Sequence, residues 1–399
     1  MKKLKIRNLG PISEADITLG RTNVIIGLQS SGKSCVLKTV CYCSWVEKRI
    51  QLVQSADEFS KDGQFLALLT KYHKMHDYVW PNTFVEYDSS SMHFSYDHTT
   101  KTFDFQWKEQ RWDFRRPKIS YVPSERNLVA IIPQWSKLPL ENDNLLDFMN
   151  DWDVARHREE KVDGILNIDV GYHFDQQSNT DSIILPDNSP IRLYEGSSGI
   201  QSLIPLYVHL QHLFGQQFDG QKFNNMSFEQ KQETRHLVSS LYNKSHEGIS
   251  MAEHVRGKTL KVNSENRMMV VGSTMYLFEN EDAYVKFNGY IKHFLENNHN
   301  EIFLEEPENN LFPSTQCQLV DWIVDNMQEN DRDDVLFVAT HSPYVLNQFI
   351  KDKPKGFRAF ITHKVQDVGR YSVYQLSDDE IQDAYFNGVD LFFNYESYL

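Results

Sequence analysis

The sequence predicts an α/β fold with a mixed sheet core, an antiparallel β subdomain and an inserted helical subdomain. Residues 24–26, 302–304 and 335–339 are short apolar runs with the length and composition of buried strands. Residues 84–122 contain strictly alternating apolar positions, which predict antiparallel strands. Residues 216–282 are polar and rich in Gln and Asn, which indicates an insert. The insert is too short for the paired heptads of a coiled-coil arm.

The first buried strand leads into residues 27–34, which fit the phosphate-loop pattern G-x-x-x-x-G-K-[ST] at every fixed position. In such a loop, backbone N–H groups surround phosphate oxygens at a helix start, Lys33 reaches the β- and γ-phosphates, and the Ser34 hydroxyl holds Mg²⁺. The alternative is a glycine turn that never binds nucleotide. The predicted cofactor-binding residues are Gly27, Gln29, Ser30, Ser31, Gly32, Lys33 and Ser34.

Composition limits the class of protein. The net charge of −14 argues against a broad basic nucleic-acid surface, although residues 2–7 form a local basic cluster. The four cysteines show neither metal-ligand spacing nor a disulfide framework, which favours reduced thiols. No stretch resembles a signal peptide or a membrane span, so we expect a cytoplasmic protein with no membrane partner.

Aromatic and basic side chains alternate at residues 107–118, after the predicted antiparallel strands. They could stack bases and neutralise phosphates, which makes nucleic acid a candidate partner. The favoured interpretation is a half-solvated sheet with outward charges.

A second small polar loop, residues 194–201, precedes a run of apolar residues at helical spacing that stops near Gly215. A helix start of this kind is again an anion site. Pro205 lies inside the predicted helix, so the helix either kinks or begins later, near Ser202.

Acidic residues follow the strand at residues 302–304, in the order Glu305, Glu306, Pro307, Glu308. In a phosphate-loop enzyme the first acid orders Mg²⁺ and a second positions the attacking water, which predicts these roles for Glu305 and Glu306. The alternative is a solvated acidic loop that caps a helix beginning near Pro313.

A histidine, His341, follows the next buried strand, at residues 335–339. Ligands bind at this end of open α/β sheets, which favours a γ-phosphate sensor over a purely structural histidine.

These four motifs occur together in the order seen in ABC-type ATPases, and the sequence resembles their SMC and OLD-like branch of P-loop NTPases. Residues 121–127, Tyr-Val-Pro-Ser-Glu-Arg-Asn, also resemble a segment common in that branch. Similar short ATPases are the ATPase subunits of prokaryotic antiphage systems of the Septu and PARIS types.

The resemblance implies ATP and Mg²⁺ as cofactors, with Glu306 and His341 as catalytic residues and Ser34 and Glu305 as metal ligands. It also implies a homodimer or higher homo-oligomer in which Ser198 and Gly199 contact the γ-phosphate bound by a second subunit. The sequence departs from the family in three ways. Glu305 stands where many relatives have aspartate, and the loop at residues 197–201, which corresponds to the family's serine-glycine signature, lacks the second consecutive glycine. No glutamine is clearly a Mg²⁺ ligand, although Gln134 is a candidate.

The segment after His341 differs from that of OLD-type nucleases, because residues 343–399 are too few for an appended nuclease domain. Asp378, Asp379 and Glu380 suggest either metal ligands or, as favoured here, a capping box formed by Ser377 and Glu380 at the start of a helix ending near Gly388.

These observations predict an ATPase domain made of residues 1–215 and 283–399, interrupted by an insert at 216–282. The leading hypothesis is an ATP-hydrolysing dimer that controls a separate effector protein, a nuclease or toxin, in nucleic-acid surveillance or antiphage defence. The second is a slow-turnover, ATP-bound scaffold that sequesters a toxic partner. The third hypothesis, that the chain is the motor subunit of a membrane transporter, is the weakest of the three, because the basic cluster and the long insert are poorly suited to that function.

Overall fold

The computed structural model describes residues 2–218, 234–245, 267–271, 274–278, 280–330, 332–366 and 369–386. Its strands are β1 (Lys2–Leu9), β2 (Ile12–Leu19), β3 (Thr22–Gly27), β4 (Val79–Asp88), β5 (Met92–Asp97), β6 (Thr102–Trp107), β7 (Pro117–Val122), β8 (Lys161–Val162), β9 (Gly171–Asp175), β10 (Thr180–Ile184), β11 (Pro190–Arg192), β12 (Arg267–Val271), β13 (Thr274–Phe278), β14 (His299–Glu305), β15 (Val335–Ala339), β16 (Phe357–Val365) and β17 (Arg370–Gln375).

The α-helices alternate with these strands along the chain. They are α1 (Lys33–Val53), α2 (Gln64–Tyr72), α3 (Leu128–Ile131), α4 (Asn144–Arg158), α5 (Ser198–Phe214), α6 (Arg235–Ser245), α7 (Glu281–Leu295), α8 (Pro313–Glu329), α9 (Pro343–Asp352) and α10 (Asp378–Phe386). Short 3-10 helices occur at His76–Tyr78, Glu109–Asp113, Ser124–Asn127, Trp135–Lys137, Leu193–Glu195 and Gln216–Phe218. No helix in the described ranges is long and apolar enough to cross a membrane.

The main sheet has eleven strands in the order β6-β5-β4-β1-β2-β17-β16-β3-β15-β14-β7. The five strands from β16 to β7 are parallel, whereas β1, β2, β4, β5 and β6 pair with one another in antiparallel fashion. The predicted α/β class with a mixed sheet is confirmed. Of the strands predicted to be antiparallel within residues 84–122, β4, β5 and β6 extend this sheet through β1. The prediction is wrong for β7, which pairs in parallel with β14 at the opposite edge.

Strand β15 lies between β3 and β14, so the loops that follow these three strands meet at one end of the sheet. Val338 pairs with Val24 of β3, and Leu304 of β14 pairs with Val338 from the other side. This order brings the phosphate loop, the acidic residues and His341 to the same edge.

Both faces of the parallel strands are buried, which explains why their sequences are continuous apolar runs. Val24 and Ile26 pack into one hydrophobic cluster with α5, α8 and α9, whereas Ile25 packs into a second cluster with α1 and α2. The phosphate-loop helix therefore lies across the sheet from the helix that follows the second polar loop.

Helix α5 begins at Ser198 and contains Pro205, so of the two predicted alternatives, a kink or a later start near Ser202, the later start is wrong. The Ser197 hydroxyl accepts a 3.4 Å hydrogen bond from the Ile200 N–H and caps the helix, so the first turn forms although Pro205 removes a donor further along. The capping-box interpretation of α10 is confirmed, because Glu380 accepts from the Ser377 N–H at 2.7 Å while Ser377 Oγ accepts from the Glu380 N–H at 3.2 Å. Its predicted end near Gly388 lies outside the described residues.

Part of the predicted insert is described. Strands β12 and β13 form an antiparallel hairpin, and its Tyr276 and Phe278 pack with Tyr242 of α6 and Phe287 of α7. Strands β8 to β11 form a separate four-stranded sheet before α5.

Candidate functional site

The phosphate loop connects β3 to α1 through backbone conformations that favour glycine. Gly27 has a φ of +148° and Gly32 a φ of +95°. A Cβ atom at Gly27 would lie 1.8 Å from Thr362 Oγ1, and one at Gly32 would lie 2.5 Å from Ile12 Cδ1. Side chains at either position are therefore excluded by backbone conformation and by space.

The Ser31 side chain anchors the loop to the neighbouring strand β16. Thr362 Oγ1 donates to the Ile26 carbonyl at 3.2 Å, and Ser31 Oγ lies 2.5 Å from Thr362 Oγ1. Of the predicted phosphate-binding residues, Ser31 thus uses its hydroxyl within the protein, and its backbone N–H donates to the Leu28 carbonyl at 3.3 Å.

The Lys33 ammonium group is folded back onto its own loop. Its Nζ donates to the carbonyl oxygens of Gly27 at 3.0 Å and Leu28 at 2.8 Å, and it lies 3.2 Å from His341 Nδ1. Burial lowers the pKa of Lys33 to about 8, although the carboxylates of Glu306 and Glu308 oppose this shift. An anion that enters the loop would therefore stabilise the charged form of the Lys33 amine and raise its pKa.

Glu306 is the acidic residue that reaches the phosphate loop. Its backbone is left-handed, with a φ of +44°, and its Oε1 lies 3.4 Å from His341 Nε2. The hydrogen bond from His341 holds the pKa of Glu306 below its usual value against the opposing effect of burial.

Lys33, His341 and Glu306 form a continuous polar chain. A lysine ammonium has only donors, so His341 Nδ1 accepts from Lys33, and the Nε2 proton is directed at the Glu306 carboxylate. The His341 ring thus lies between the Lys33 ammonium group and the Glu306 carboxylate and contacts both.

Glu308 holds the main chain of the histidine loop. Its Oε1 accepts from the His341 N–H at 2.6 Å, and its Oε2 accepts from Thr340 Oγ1 at 2.8 Å. Burial raises the pKa of this carboxyl group. The third acid of the motif therefore links the loop after β14 to the loop after β15.

Glu305, the last residue of β14, is buried behind Glu306. Its Oε2 accepts from the Ser124 N–H at 3.4 Å, whereas Oε1 has no hydrogen-bond partner among the described residues. A buried carboxylate oxygen without a partner, together with the half-buried Ser34 hydroxyl in the cleft, provides the hard oxygen donors that suit Mg²⁺. Glu305 does not itself line the cleft at the phosphate loop, and within the described ranges no group of three or more His, Cys, Asp or Glu side chains is placed to hold a metal ion.

Arg126 is a residue that sequence reasoning missed. It is 1 % exposed, and its guanidinium donates to the carbonyl oxygens of Glu305 and Glu306, each at 2.8 Å, and to that of Ser202 at 3.3 Å. Burial lowers the pKa of Arg126 to about 10, although the negative charges of the nearby acids oppose this shift, and Glu308 has the largest opposing effect. One side chain thus fastens the acidic loop to α5. The only sequence signal was its place in the family-like segment 121–127.

A cleft of about 490 Å³ opens at the phosphate loop. Loop residues 29–35 line it together with Glu306, His341 and two aromatic side chains, Tyr78 and Trp80. Both aromatics are partly exposed, and Trp80 is fixed by a 3.1 Å hydrogen bond from its Nε1 to the Gly10 carbonyl. Sequence reasoning missed these two residues because they lie outside any motif.

The other predicted site residues do not line this cleft. Ser198 is exposed at the start of α5, and a Cβ atom at Gly199 would lie 3.0 Å from the Asn310 carbonyl oxygen. Gln134 is exposed and accepts from Lys137 Nζ at 3.0 Å. Within one chain, the structure brings together the phosphate loop, Glu306 and His341, and it leaves Ser198, Gly199 and Gln134 apart from them.

No protein-family model and no curated protein matches the sequence. Among solved structures, the SMC head domain from Thermotoga maritima is similar with 10 % identity and a TM-score of 0.39, over 94 % of this chain and 98 % of that chain. The ADP conformation of MJ1267, an ATP-binding cassette of an ABC transporter, is 10 % identical with a TM-score of 0.32, over 98 % of each chain.

The ATPrS complex of the recombination mediator protein RecF is 8 % identical with a TM-score of 0.29, over 94 % of this chain and 97 % of that chain. All three TM-scores lie below 0.5, and no functional conclusion is drawn from them. By its own strand order and phosphate loop, the chain has a mixed α/β fold with the P-loop between β3 and α1, as in P-loop NTPases.

Proposed function

We propose that this chain binds and hydrolyses ATP, dimerises around the nucleotide and controls a separate effector protein. The observation that supports the ATPase proposal best is the convergence of Lys33, His341 and Glu306 on the cleft at the phosphate loop. Three distant segments of sequence supply these residues, which is the arrangement that phosphoryl transfer to water requires.

In this proposal Lys33 binds the β- and γ-phosphates, which replace the carbonyl oxygens that it contacts without ligand. Glu306 orients the attacking water and accepts its proton, and His341 detects the γ-phosphate. Ser34 and Glu305 hold Mg²⁺, which neutralises charge on the phosphates when it is bound. Tyr78 and Trp80 supply apolar ring faces on which a nucleotide base can stack.

Binding and turnover are tested separately. We expect isothermal titration calorimetry to show MgATP binding to the wild-type protein and a loss of roughly 100-fold or more in affinity for Lys33→Ala. Lys38→Ala, on the same helix but outside the cleft, is the matched control and should bind normally. Heat from MgATP that is equal for Lys33→Ala and the wild type would refute the loop as the binding site.

The proposed base is tested by Glu306→Gln, which keeps the size of the side chain but cannot accept the proton. We expect wild-type ATP affinity with phosphate release reduced by about 10²-fold or more. Turnover at the wild-type rate would refute the role of Glu306.

Dimerisation is proposed to involve the exposed Ser198 and the half-buried Gly199 at the start of α5, which would contact a nucleotide held by another subunit. We expect Glu306→Gln with MgATP to elute as a dimer in size-exclusion chromatography with light scattering. Ser198→Arg in that background should remain monomeric while still binding ATP. Dimer formation by the Ser198→Arg variant would refute the proposed role of Ser198 and Gly199 in the dimer interface.

The effector part of the proposal rests on the resemblance to ATPase subunits of the Septu and PARIS types. Co-expression with the neighbouring genes of the native operon should yield a complex with the wild-type chain and a changed yield with Lys33→Ala. A partner that binds equally well to both proteins would exclude nucleotide control.

A slow-turnover scaffold that sequesters a toxic partner is favoured by one specific feature. The hydrogen bond from His341 lowers the pKa of Glu306, and a carboxylate of lowered pKa is a weaker base. A burst of ATP binding followed by turnover slower than once per minute would support this second function, whereas rapid steady-state hydrolysis would exclude it.

A further inference from the structure

A second pocket lies on the α1 and α2 face of the sheet and shares no lining residue with the nucleotide cleft. It encloses about 430 Å³ between α1, α2, β7 and the start of α4. An adjoining cavity of about 250 Å³ shares four of its lining residues, Cys41, Tyr72, Ile119 and Asp147. The larger volume alone is within the range of small-molecule sites.

The pocket contains a buried polar side chain that the protein leaves without a partner. His73 is 0 % exposed and lines the pocket, and neither of its ring nitrogens has a hydrogen-bond partner among the described residues. Burial lowers the pKa of His73 well below its ordinary value, so the ring is neutral with one donor and one acceptor. Buried groups of this kind are normally satisfied, and here a ligand would satisfy them.

The walls are aromatic. Tyr42 and Trp45 stack on each other with ring centroids 5.7 Å apart and an interplanar angle of 27°. The Tyr42 hydroxyl is already used, because it donates to the Phe65 carbonyl at 2.7 Å, whereas the Trp45 ring is 37 % exposed. This surface suits a planar ring.

The charges at the rim favour an anion. Lys118 is neutralised by Asp151, with Nζ–O distances of 2.7 and 2.8 Å. Asp147 is the one carboxylate among the described lining residues of the larger pocket, it accepts from the Tyr72 hydroxyl, and burial raises its pKa, so two lysines, Lys48 and Lys71, face a single acid. Lys48 and Lys71 form no ion pair within the described part of the chain, and Lys48 Nζ donates only to the Pro117 carbonyl at 2.8 Å. Burial first, and then the neighbouring charges of Arg116 and Lys118, lower the pKa of Lys48 to about 7, although the carboxylates of Glu301 and Asp151 oppose this shift. An anion beside this amine would restore its charge.

We propose that this pocket is a second ligand site, which takes a planar aromatic molecule bearing an anionic group. His73 would bond the polar edge of the ring, Trp45 would stack on its face, and Lys48 and Lys71 would bind the anion. Nucleoside 5′-monophosphates and aryl carboxylates share this chemistry.

The site is tested by titrating AMP, GMP, CMP, UMP and indole-3-acetate into the full chain carrying Lys33→Ala, with isothermal titration calorimetry and ligand-observed NMR. The uncharged nucleosides serve as matched probes without the anion. We expect at least one anionic probe to bind, and the nucleosides to bind at least about tenfold more weakly. Binding of nucleotides but not indole-3-acetate, or the reverse, identifies the source within the same chemistry.

Lys48→Met and His73→Phe should each weaken binding of that probe about tenfold, whereas Lys101→Met, on a distant turn, should leave it unchanged. Circular dichroism checks that each variant is folded. Should Lys48→Met or His73→Phe fail to fold, Lys71→Glu on the exposed rim decides, with about tenfold weaker binding of the anionic probe and no effect on the nucleosides. No binding by any probe at millimolar concentration, equal binding of the nucleosides, or binding unaffected by these substitutions would each overturn the proposal.

Discussion

Lys33 is the residue at which the phosphate loop meets the side chains supplied by the downstream strands. Without ligand, its ammonium contacts two carbonyl oxygens and the His341 ring, and its pKa is lowered to about 8. A triphosphate would raise this pKa, because an adjacent anion favours the charged form. The charge needed for binding is therefore present at pH 7 and is lost as the pH rises through 8.

We predict that ATP affinity falls above pH 8, by up to about tenfold per pH unit until the raised pKa of the complex is reached. Calorimetry at pH 8.5 in buffers of different ionisation enthalpy should show uptake of a fraction of one proton on binding. Lys33→Arg stays charged in this range and should show no such uptake. An affinity that is constant between pH 7 and 9.5 in the wild type would contradict the prediction.

Arg126 leads to a second prediction at the same scale. Arg126→Lys keeps the charge but replaces three separate guanidinium nitrogens, which donate to the carbonyl oxygens of Ser202, Glu305 and Glu306, by one ammonium nitrogen on a differently shaped side chain that cannot reproduce this fork. We expect the rate of ATP hydrolysis to fall about tenfold or more while ATP affinity is retained, and the free energy of unfolding in urea to fall by about 2 kcal/mol. Unchanged hydrolysis would show that the acidic loop keeps its position without this residue.

At the scale of elements, the order β3-β15-β14 determines which loops meet. The phosphate loop, Glu306 and His341 were predictable because each directly follows an apolar run that is visible in the sequence. Arg126, Tyr78 and Trp80 were not, because their contacts depend on which distant strands become neighbours. The late start expected for α5 was wrong because a capping hydroxyl at Ser197 determines the first turn, and Pro205 affects only a later donor.

Glu308 connects two of these loops, so its substitution tests the element order. In Glu308→Gln one carboxylate oxygen becomes an NH₂ group, which cannot accept from both the His341 N–H and Thr340. We predict that hydrolysis falls about tenfold with little change in ATP affinity. Because burial raises the pKa of Glu308, wild-type activity should also decline at a higher pH on acidification than an ordinary glutamate would dictate. A Glu308→Gln rate equal to that of the wild type would refute this link.

At the scale of the whole molecule, β17 joins the antiparallel strands to the parallel ones. It pairs with β2 on one side and β16 on the other, and Val373 lies opposite both Ala15 and Thr362. Thr362 in turn lies against Ser31 of the phosphate loop. A defect in this strand is therefore transmitted to the loop.

We predict that Val373→Pro destabilises the protein by at least about 3 kcal/mol and abolishes ATP binding, because proline removes a ladder hydrogen bond from a central strand. Val373→Thr, also β-branched and at a half-buried strand position, should cost only about 1 kcal/mol and leave ATP binding intact. The measurements are urea unfolding and calorimetry. Normal ATP binding by the proline variant would show that the phosphate loop does not depend on the pairing of β17, and would contradict the prediction.

The position of β17 also determines how late in translation the eleven-stranded sheet can be completed. The strands β1, β2, β4, β5 and β6 are all synthesised before residue 108, yet the partner of β2 emerges only with residues 370–375. At ribosomal speeds of about 5 to 20 residues per second, that wait lasts on the order of tens of seconds. During this interval β2 has no partner on one side, so the nascent chain would expose an unpaired sheet edge. A polypeptide that terminates before β17 would lack the strand that connects the antiparallel part of the sheet to the parallel part, which carries the phosphate loop.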